Sequence, residues 1–357
     1  MPSSTIPVFD PASPQTEAIR SLFIMVLVIS AVIFAIMATL IVLALVRFRA
    51  RGSQLPVQDH GSERRELFWM LGPILVVVWL AAITTKLVFA INTHSVADAP
   101  GGDPARIQVI GHQWWWEARY PAEAWKAQLA DAGAPAATTT EDGRSAEFLV
   151  ANEIHIPVGT AIRVSVDSAD VIHSFWVPQL ARKIDAIPGR TNHIWLQADR
   201  AGTYQGYCAE FCGTQHAWMR FLVIAHEPEG FNRWIATQAI PAADPATALA
   251  SKGAELFRTM SCVDCHAFGS VGTRHAIGPD LTEVSRRSTL GAGVMLNSPA
   301  QLRRWLENPQ AIKPGSKMPN FRLTTDQIDA LIAYFDQGAP PAPAALGAQQ
   351  GSSEGVQ

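Results

Sequence analysis

Cys208-Ala-Glu210-Phe-Cys212-Gly-Thr-Gln-His216-Ala-Trp-Met219 sets two thiols, an imidazole and a thioether within one twelve-residue stretch. Thiolate and thioether are soft ligands that select copper, zinc or iron–sulfur clusters, and imidazole suits copper and zinc. Zinc seldom recruits a Met, so this set favours copper. A mononuclear blue-copper site needs one Cys. The second Cys points to two thiolates bridging two copper ions.

Short apolar runs flank this loop. Arg106-Ile-Gln-Val-Ile110 alternates as a strand does, and Gly111-His-Gln-Trp114-Trp115-Trp116 follows it. A helical or loop insertion rich in Ala and Thr covers roughly 121–145. Beyond it, Ala161-Ile-Arg-Val-Ser-Val166, Asn192-His-Ile-Trp-Leu196 and Trp218-Met-Arg-Phe-Leu-Val-Ile224 are separated by Pro, Gly and Asp turns. Short strands at this spacing predict a β-sandwich or barrel, with the metal loop between its last two strands.

Upstream lie two long apolar runs, Ser21 to Val46 and Leu67 to Ile91. Each exceeds the ~20 residues that span a bilayer as a helix. Arg47, Arg49, Arg51, Arg64 and Arg65 fall between them. Excess Arg in a short loop marks the cytoplasmic side, so both ends of the chain are expected on the outer face. Met1 to Asp10 lacks the basic region of a signal peptide. The formal net charge of −3 over 357 residues leaves no nucleic-acid footprint.

The other two of the four cysteines stand in Cys262-Val-Asp-Cys265-His266. This is the C-x-x-C-H pattern of covalent haem attachment, which is preferred here to a thioredoxin-type redox pair because His266 follows directly. A second axial ligand of Met type raises the potential of an electron-transfer haem. Met318, set between Pro314, Gly315 and Pro319, is the candidate; Met295 and His275 are its rivals. Gly278-Pro279-Asp280-Leu281 supplies a turn to wall the haem. Thr324 with Gln327 reads as the capping box of a last helix carrying Ile328, Leu331, Ile332 and Phe335.

The expected organisation is an outer segment at 1–20 and a transmembrane hairpin at 21–91. Its spans cover about 21–46 and 67–91, around a cytoplasmic loop at 47–66. A copper domain follows at 92–226, a Pro- and Ala-rich linker at 227–250, a haem domain at 251–337 and a disordered tail at 338–357. His112, His155, His193 and His226 lack companion ligands at useful spacing and read as structural or surface histidines.

The two spans, Gly111-His-Gln-Trp-Trp-Trp116, Asp170-Val-Ile-His173-Ser-Phe, Lys183-Ile-Asp185-Ala-Ile-Pro-Gly-Arg190 and the Cys208 loop resemble subunit II of haem–copper cytochrome c oxidases. The segment after the linker resembles the class I cytochrome c fused to that subunit in some bacteria. The likeness covers nearly the whole chain. The 121–145 insertion departs from the commoner pattern, and Trp115 stands where the family often has Tyr.

The resemblance implies a multidomain membrane protein: a two-helix transmembrane hairpin, a cupredoxin-like Greek-key β-sandwich or barrel, and an all-α class I cytochrome c domain. It implies a dinuclear CuA centre held by His173, Cys208, the Glu210 carbonyl, Cys212, His216 and Met219, with both cysteines bridging. The Glu210 side chain would help bind Mg²⁺ facing subunit I. Covalent haem c would sit on Cys262 and Cys265 between His266 and Met318. Trp114 would receive electrons for CuA, and Glu66 would stand where protons enter a channel into subunit I. Asp185 and Arg190 match residues at that interface, with a surface turn as the plain alternative. Expected partners are oxidase subunits I and III, cytochrome c or another electron donor, and the bilayer of a bacterial inner membrane, with both outer domains periplasmic. The reading is of the subunit through which electrons enter a proton-pumping terminal oxidase. A CuA subunit of a nitric oxide or nitrous oxide reductase, and a membrane-anchored copper chaperone, are the alternatives.

Overall fold

The computed structural model describes residues 7–49, 52, 61–92, 106–134, 146–272 and 277–337. His275, Arg51, the 338–357 tail and much of the 121–145 insertion lie outside the described residues.

Two helices open the chain, α1 (Pro14–Arg47) and α2 (Glu63–Asn92). Both are long and apolar enough to cross a membrane, and their apolar windows are not buried within the protein. Ser13 caps α1, its hydroxyl accepting from the Thr16 amide, and Pro14 takes the first helical position, where a missing N–H costs nothing. The same cap ties α1 to the next domain. Ser13 Oγ donates to the Leu180 carbonyl at 2.6 Å and Thr16 Oγ1 to the Gln179 carbonyl at 2.8 Å. The Ala12 amide donates to the Gln179 carbonyl, while the Ala12 carbonyl accepts from Asp199 N. Arg200 pairs with Asp10 at 2.7 Å.

The next domain is a sandwich of ten strands: β1 (Arg106–His112), β2 (Trp115–Pro121), β3 (Glu147–Ala151), β4 (Glu153–Pro157), β5 (Ile162–Ser168), β6 (His173–Trp176), β7 (Ile184–Ala186), β8 (Asn192–Leu196), β9 (Gly202–Cys208) and β10 (Arg220–His226). One sheet runs β3-β2-β1-β5-β8 and the other β4-β10-β9-β6-β7. Side chains alternate faces along a strand. Ile162, Val164 and Val166 of β5 therefore point inward, as do Phe221, Val223 and Ala225 of β10, and both sets belong to the shared core. Trp116, Phe175 and Phe221 pack ring to ring at its centre, with centroids 4.7–5.7 Å apart. A short helix α3 (Lys126–Asp131) follows β2.

The segment expected as a linker at 227–250 is not one throughout. Helix α4 (Pro228–Gln238) occupies its first half and buries Phe231 and Ile235 in the sandwich core. Pro228 starts this helix rather than breaking a strand, as proline does at a first turn. Helix α5 (Ala248–Thr259) already belongs to the next domain.

That domain has its own core, in which Phe257, Phe268, Tyr334 and Phe335 meet. Its helices are α5, α6 (Pro299–Glu307), α7 (Pro309–Ile312) and α8 (Thr325–Phe335), with two two-residue ladders between them. The Thr324–Gln327 capping box is formed on both sides. Gly253 on α5 lets the Ala330 backbone of α8 approach where a Cβ would collide.

Candidate metal centres

The copper loop leaves β9 at Cys208 and re-enters the sheet at Arg220, closed by Cys208 N donating to the Met219 carbonyl at 3.2 Å. Ala209 N donates to Ser174 O and fastens the loop to β6, which carries His173. The ligand atoms gather. Cys208 Sγ lies 3.8 Å from Cys212 Sγ, 3.9 Å from His173 Nδ1 and 3.2 Å from the Glu210 carbonyl oxygen. Cys212 Sγ lies 3.7 Å from His216 Nδ1 and 3.8 Å from Met219 Sδ. The sulfurs are far beyond the ~2.05 Å of a disulfide but can share an ion at the ~2.3 Å of a metal–thiolate bond. His173 and Met219 are fully buried, and Glu210 is exposed. The donor set fits soft-metal binding, and a cluster of His173, Cys208 and Cys212 is compact enough for an ion.

Local packing aims these ligands. Gly111 faces His173, and a Cβ there would lie 2.7 Å from its ring carbon Cδ2. His173 Nε2 donates to Asp170 Oδ1 at 2.8 Å, leaving Nδ1 toward the sulfurs. A second partner of this kind fixes tautomer and ring orientation at a metal site. Burial works to keep His173 neutral, yet the bonds to Asp170 and Cys208 outweigh it and raise its pKa. Asp170 is opposed by burial but held near 2 by donors from His173, Gln113 N and Val171 N. The Cys212 thiol holds Cys208 down at about 3 against burial, and is itself pushed up by the same contact. Asp170 was legible in the sequence only as part of the Asp170-Val-Ile-His173 motif.

In the second domain Cys262–Asp264 form a 3-10 turn, and His266 N donates back to Cys262 O at 2.9 Å. His266 Nδ1 donates to the Pro279 carbonyl at 2.7 Å, which leaves Nε2 as the ligand atom. Burial lowers the pKa of His266 and so favours the neutral imidazole. Gly278 packs against that ring, where a Cβ would lie 2.9 Å from Nε2. Met318 takes Trp305 Nε1–H onto its sulfur at 3.2 Å, and Gln310 Nε2 grips the Met318 carbonyl at 2.7 Å. Cys262, Cys265, His266 and Met318 share a cavity of about 440 Å³. That volume suits a cofactor pocket, and the two thiols, imidazole and thioether on its wall fit haem c. Met295 sits in a short ladder against the helical core and does not line the cavity.

The same cavity is walled by Trp114 and Trp115 of the sandwich. Trp114 Nε1 donates to the Cys212 carbonyl at 2.9 Å, beside Gln113 Nε2, which donates to it at 2.8 Å. Trp115 Nε1 donates across the domains to Ile277 O at 3.0 Å, and Trp116 is a core residue. Glu153 accepts from Ser288 N at 2.6 Å and Thr289 N at 3.1 Å. Lys313 Nζ donates to the carbonyls of Gly291, Trp218 and Trp114 at 3.0, 3.0 and 3.2 Å. Burial pulls Lys313 down to about 7, although the Cys212 sulfur favours its charge. Sequence reasoning did not find this residue.

The remaining histidines carry no metal cluster among the described residues. His112 stacks on Trp115, and His155 Nδ1 meets His226 Nε2 at 2.7 Å under Trp234. Asp185 pairs within β7 opposite Ser174, and Arg190 is exposed. Glu66 lies exposed in the first turn of α2.

Comparison with known proteins matches the same three segments of the chain. Residues 105–226 match the family model described as cytochrome C oxidase subunit II, periplasmic domain; residues 3–87 match its transmembrane domain, and 250–339 match cytochrome c. A cytochrome c oxidase subunit 2 from Alkalihalophilus pseudofirmus is 35% identical over 332 residues, 91% of this chain and 89% of the relative. One from Bacillus sp. strain PS3 is 28% identical, over 81% of this chain and 78% of the relative. The crystal structure of the periplasmic domain of subunit II (CoxB) of Bradyrhizobium japonicum is 34% identical, with a TM-score of 0.31 over 40% of this chain and 96% of that one. With its spans, sandwich and haem-type domain each matched, the chain belongs to the cytochrome c oxidase subunit II family and carries a fused cytochrome c domain.

Proposed function

We propose that this chain is the subunit through which electrons enter a proton-pumping terminal oxidase, and that they pass from the cytochrome domain to the copper loop by way of Trp114. One observation carries this reading: a single indole lines the haem cavity with its ring and hydrogen-bonds the Cys212 carbonyl with its nitrogen. The bound groups, covalent haem c and dinuclear CuA, supply one-electron carriers of adjustable potential. Cys262 and Cys265 would tether the haem, with His266 and Met318 on its iron. His173, Cys208, the Glu210 carbonyl, Cys212, His216 and Met219 would hold the copper pair. Cys208 and Cys212, both buried, would hold the ions in one rigid loop, surroundings that suit a one-electron carrier because they need little rearrangement.

The exposed Glu210 carboxylate is suited to Mg²⁺, a hard ion that prefers oxygen, at the face toward subunit I. Glu66 would serve protons at the cytoplasmic end of α2. Arg47, Arg49, Arg64 and Arg65 set that end on the cytoplasmic side of a bacterial inner membrane, with the sandwich and cytochrome domains periplasmic. Oxygen chemistry would belong to subunit I, with subunit III beside it. Cytochrome c or a similar donor would deliver to the haem domain.

The test is stopped-flow reduction of the assembled oxidase, with haem and copper bands followed separately. Metal analysis should first find two coppers and one covalent haem per chain. In Trp114→Ala, haem c should reduce at the normal rate while copper reduction slows severalfold. Copper reduction at wild-type speed in that variant would overturn the route.

A further inference from the structure

The contact between the sandwich and the cytochrome domain is built around one cation. Lys313 follows α7, and only 3% of it is exposed. An ammonium has three donors and no acceptor. Here each of its three bonds ends on a backbone carbonyl: Gly291 in its own domain, and Trp114 and Trp218 in the sandwich. One of those two carbonyls lies within the Cys208–Met219 loop and the other on a residue hydrogen-bonded to it. Trp114 holds the Cys212 carbonyl, and Trp218 precedes Met219. Burying an ammonium is unfavourable unless its donors are used, and two of the three acceptors exist only when the domains are together.

The surroundings are shaped for close approach. Arg220 N donates to Ala292 O at 3.1 Å, and a Cβ at Gly293 would lie 2.9 Å from Arg220 Cβ. Trp115, Ala151 and Ala292 form a small dry cluster of their own beside it. Gln215 donates to the Pro314 carbonyl, next to Lys313. The Glu153 carboxylate, 5% exposed, takes two amides of the cytochrome domain at the far side of the seam.

We propose that Lys313 is the latch that docks the cytochrome domain over Trp114, so that the tethered haem is the resident donor and Trp114 is closed to soluble donors. Lys313 is a positioning residue, acting through the Trp114 and Trp218 backbone. The proposal rests on the electron route given above, and its test separates the two.

The whole oxidase carrying Lys313→Met, and the milder Lys313→Gln, would be compared with wild type by two readouts. The first is amide hydrogen exchange at Arg220, Ser288 and Thr289, whose bonds cross the seam, against Val164 and Val223 in the sandwich core. Seam amides should exchange roughly tenfold faster or more while core amides hold, the signature of local opening. The second is stopped-flow transfer. Haem-to-copper transfer should slow about tenfold or more, the scale set by small displacements of reacting partners, and a soluble cytochrome should begin to reduce copper directly. The methionine-ligation band of the ferric haem should persist. Unchanged seam protection in both variants would overturn the latch. So would loss of that band, which would assign Lys313 to the fold of the haem domain alone. If wild-type copper reduces without prior haem reduction, the electron route fails, and the exchange data still decide the latch.

Discussion

Met318 shows how much one residue depends on its supports. Its sulfur receives the Trp305 indole and its carbonyl is gripped by Gln310, so the loop keeps the thioether on the cavity wall. In Met318→Ala the haem should remain attached, because Cys262 and Cys265 would hold it. The methionine-ligation band should vanish and the haem potential fall, as a His/Met pair gives way to a weaker or harder ligand. A redox titration of the purified oxidase checks this; an unchanged band would return attention to Met295. His173 is supported in the same manner by Asp170 and Gly111. The candidate donors were legible in the sequence because the loop packs soft donors into twelve positions. Their supports were less so. An aspartate three residues before a histidine, or a glycine on a neighbouring strand, has no distinctive spacing until the fold brings them together.

At the scale of elements, helix α4 is the instructive case. Three prolines between 227 and 250 read as linker, yet Pro228 is a helix start, and Phe231, Trp234 and Ile235 follow at the three- and four-residue spacing of one apolar face. The signal was present and was outweighed by composition. The strands, by contrast, were legible from period-two alternation, as in Ile162, Val164 and Val166. Helix α2 carries the element-level prediction. Its first turn holds Glu63 and Glu66, the helix end where carboxylates are favoured by exposed amides. Ionisable groups at the edge of a span also mark proton paths. Glu66→Ala should slow steady-state oxygen reduction severalfold while haem c and copper reduce at normal speed. Stopped-flow reduction set against turnover of the same preparation makes the comparison; unaffected turnover would leave Glu66 as an interfacial charge.

For the whole molecule, the decisive feature is the seam between two separately cored domains. It could not be read from the sequence, because most of its acceptors are backbone carbonyls at Trp114, Trp218, Ile277 and Ala292, and a carbonyl looks the same at every residue. Among the described residues the seam is mostly buried hydrogen bonds, with one partly exposed ion pair, Lys317 to Asp170 at 3.9 Å. Exposed pairs contribute little and are screened by salt, whereas buried contacts are screened far less. Haem-to-copper transfer inside the chain should therefore stay within about twofold when ionic strength rises from ~0.01 to 0.15 M, across which the screening length shortens from ~30 to ~8 Å. Flash-induced electron injection at each salt concentration measures this. A steep fall would mean that the domains associate through surface charge.

The strap that joins α1 to the sandwich bears on how the chain is made. Residues 10–16 leave the ribosome long before their partners at 179–182 and 198–200. Two candidate spans intervene, so the early segment has to wait on whichever face of the bilayer the sandwich will occupy, its hydrogen-bonding groups met by water. The lacing closes only when the sandwich arrives on the same side. A chain whose early segment lies on the opposite face cannot finish this fold, which makes correct insertion of the first helix a condition for completing the domain that carries the Cys208–Met219 loop.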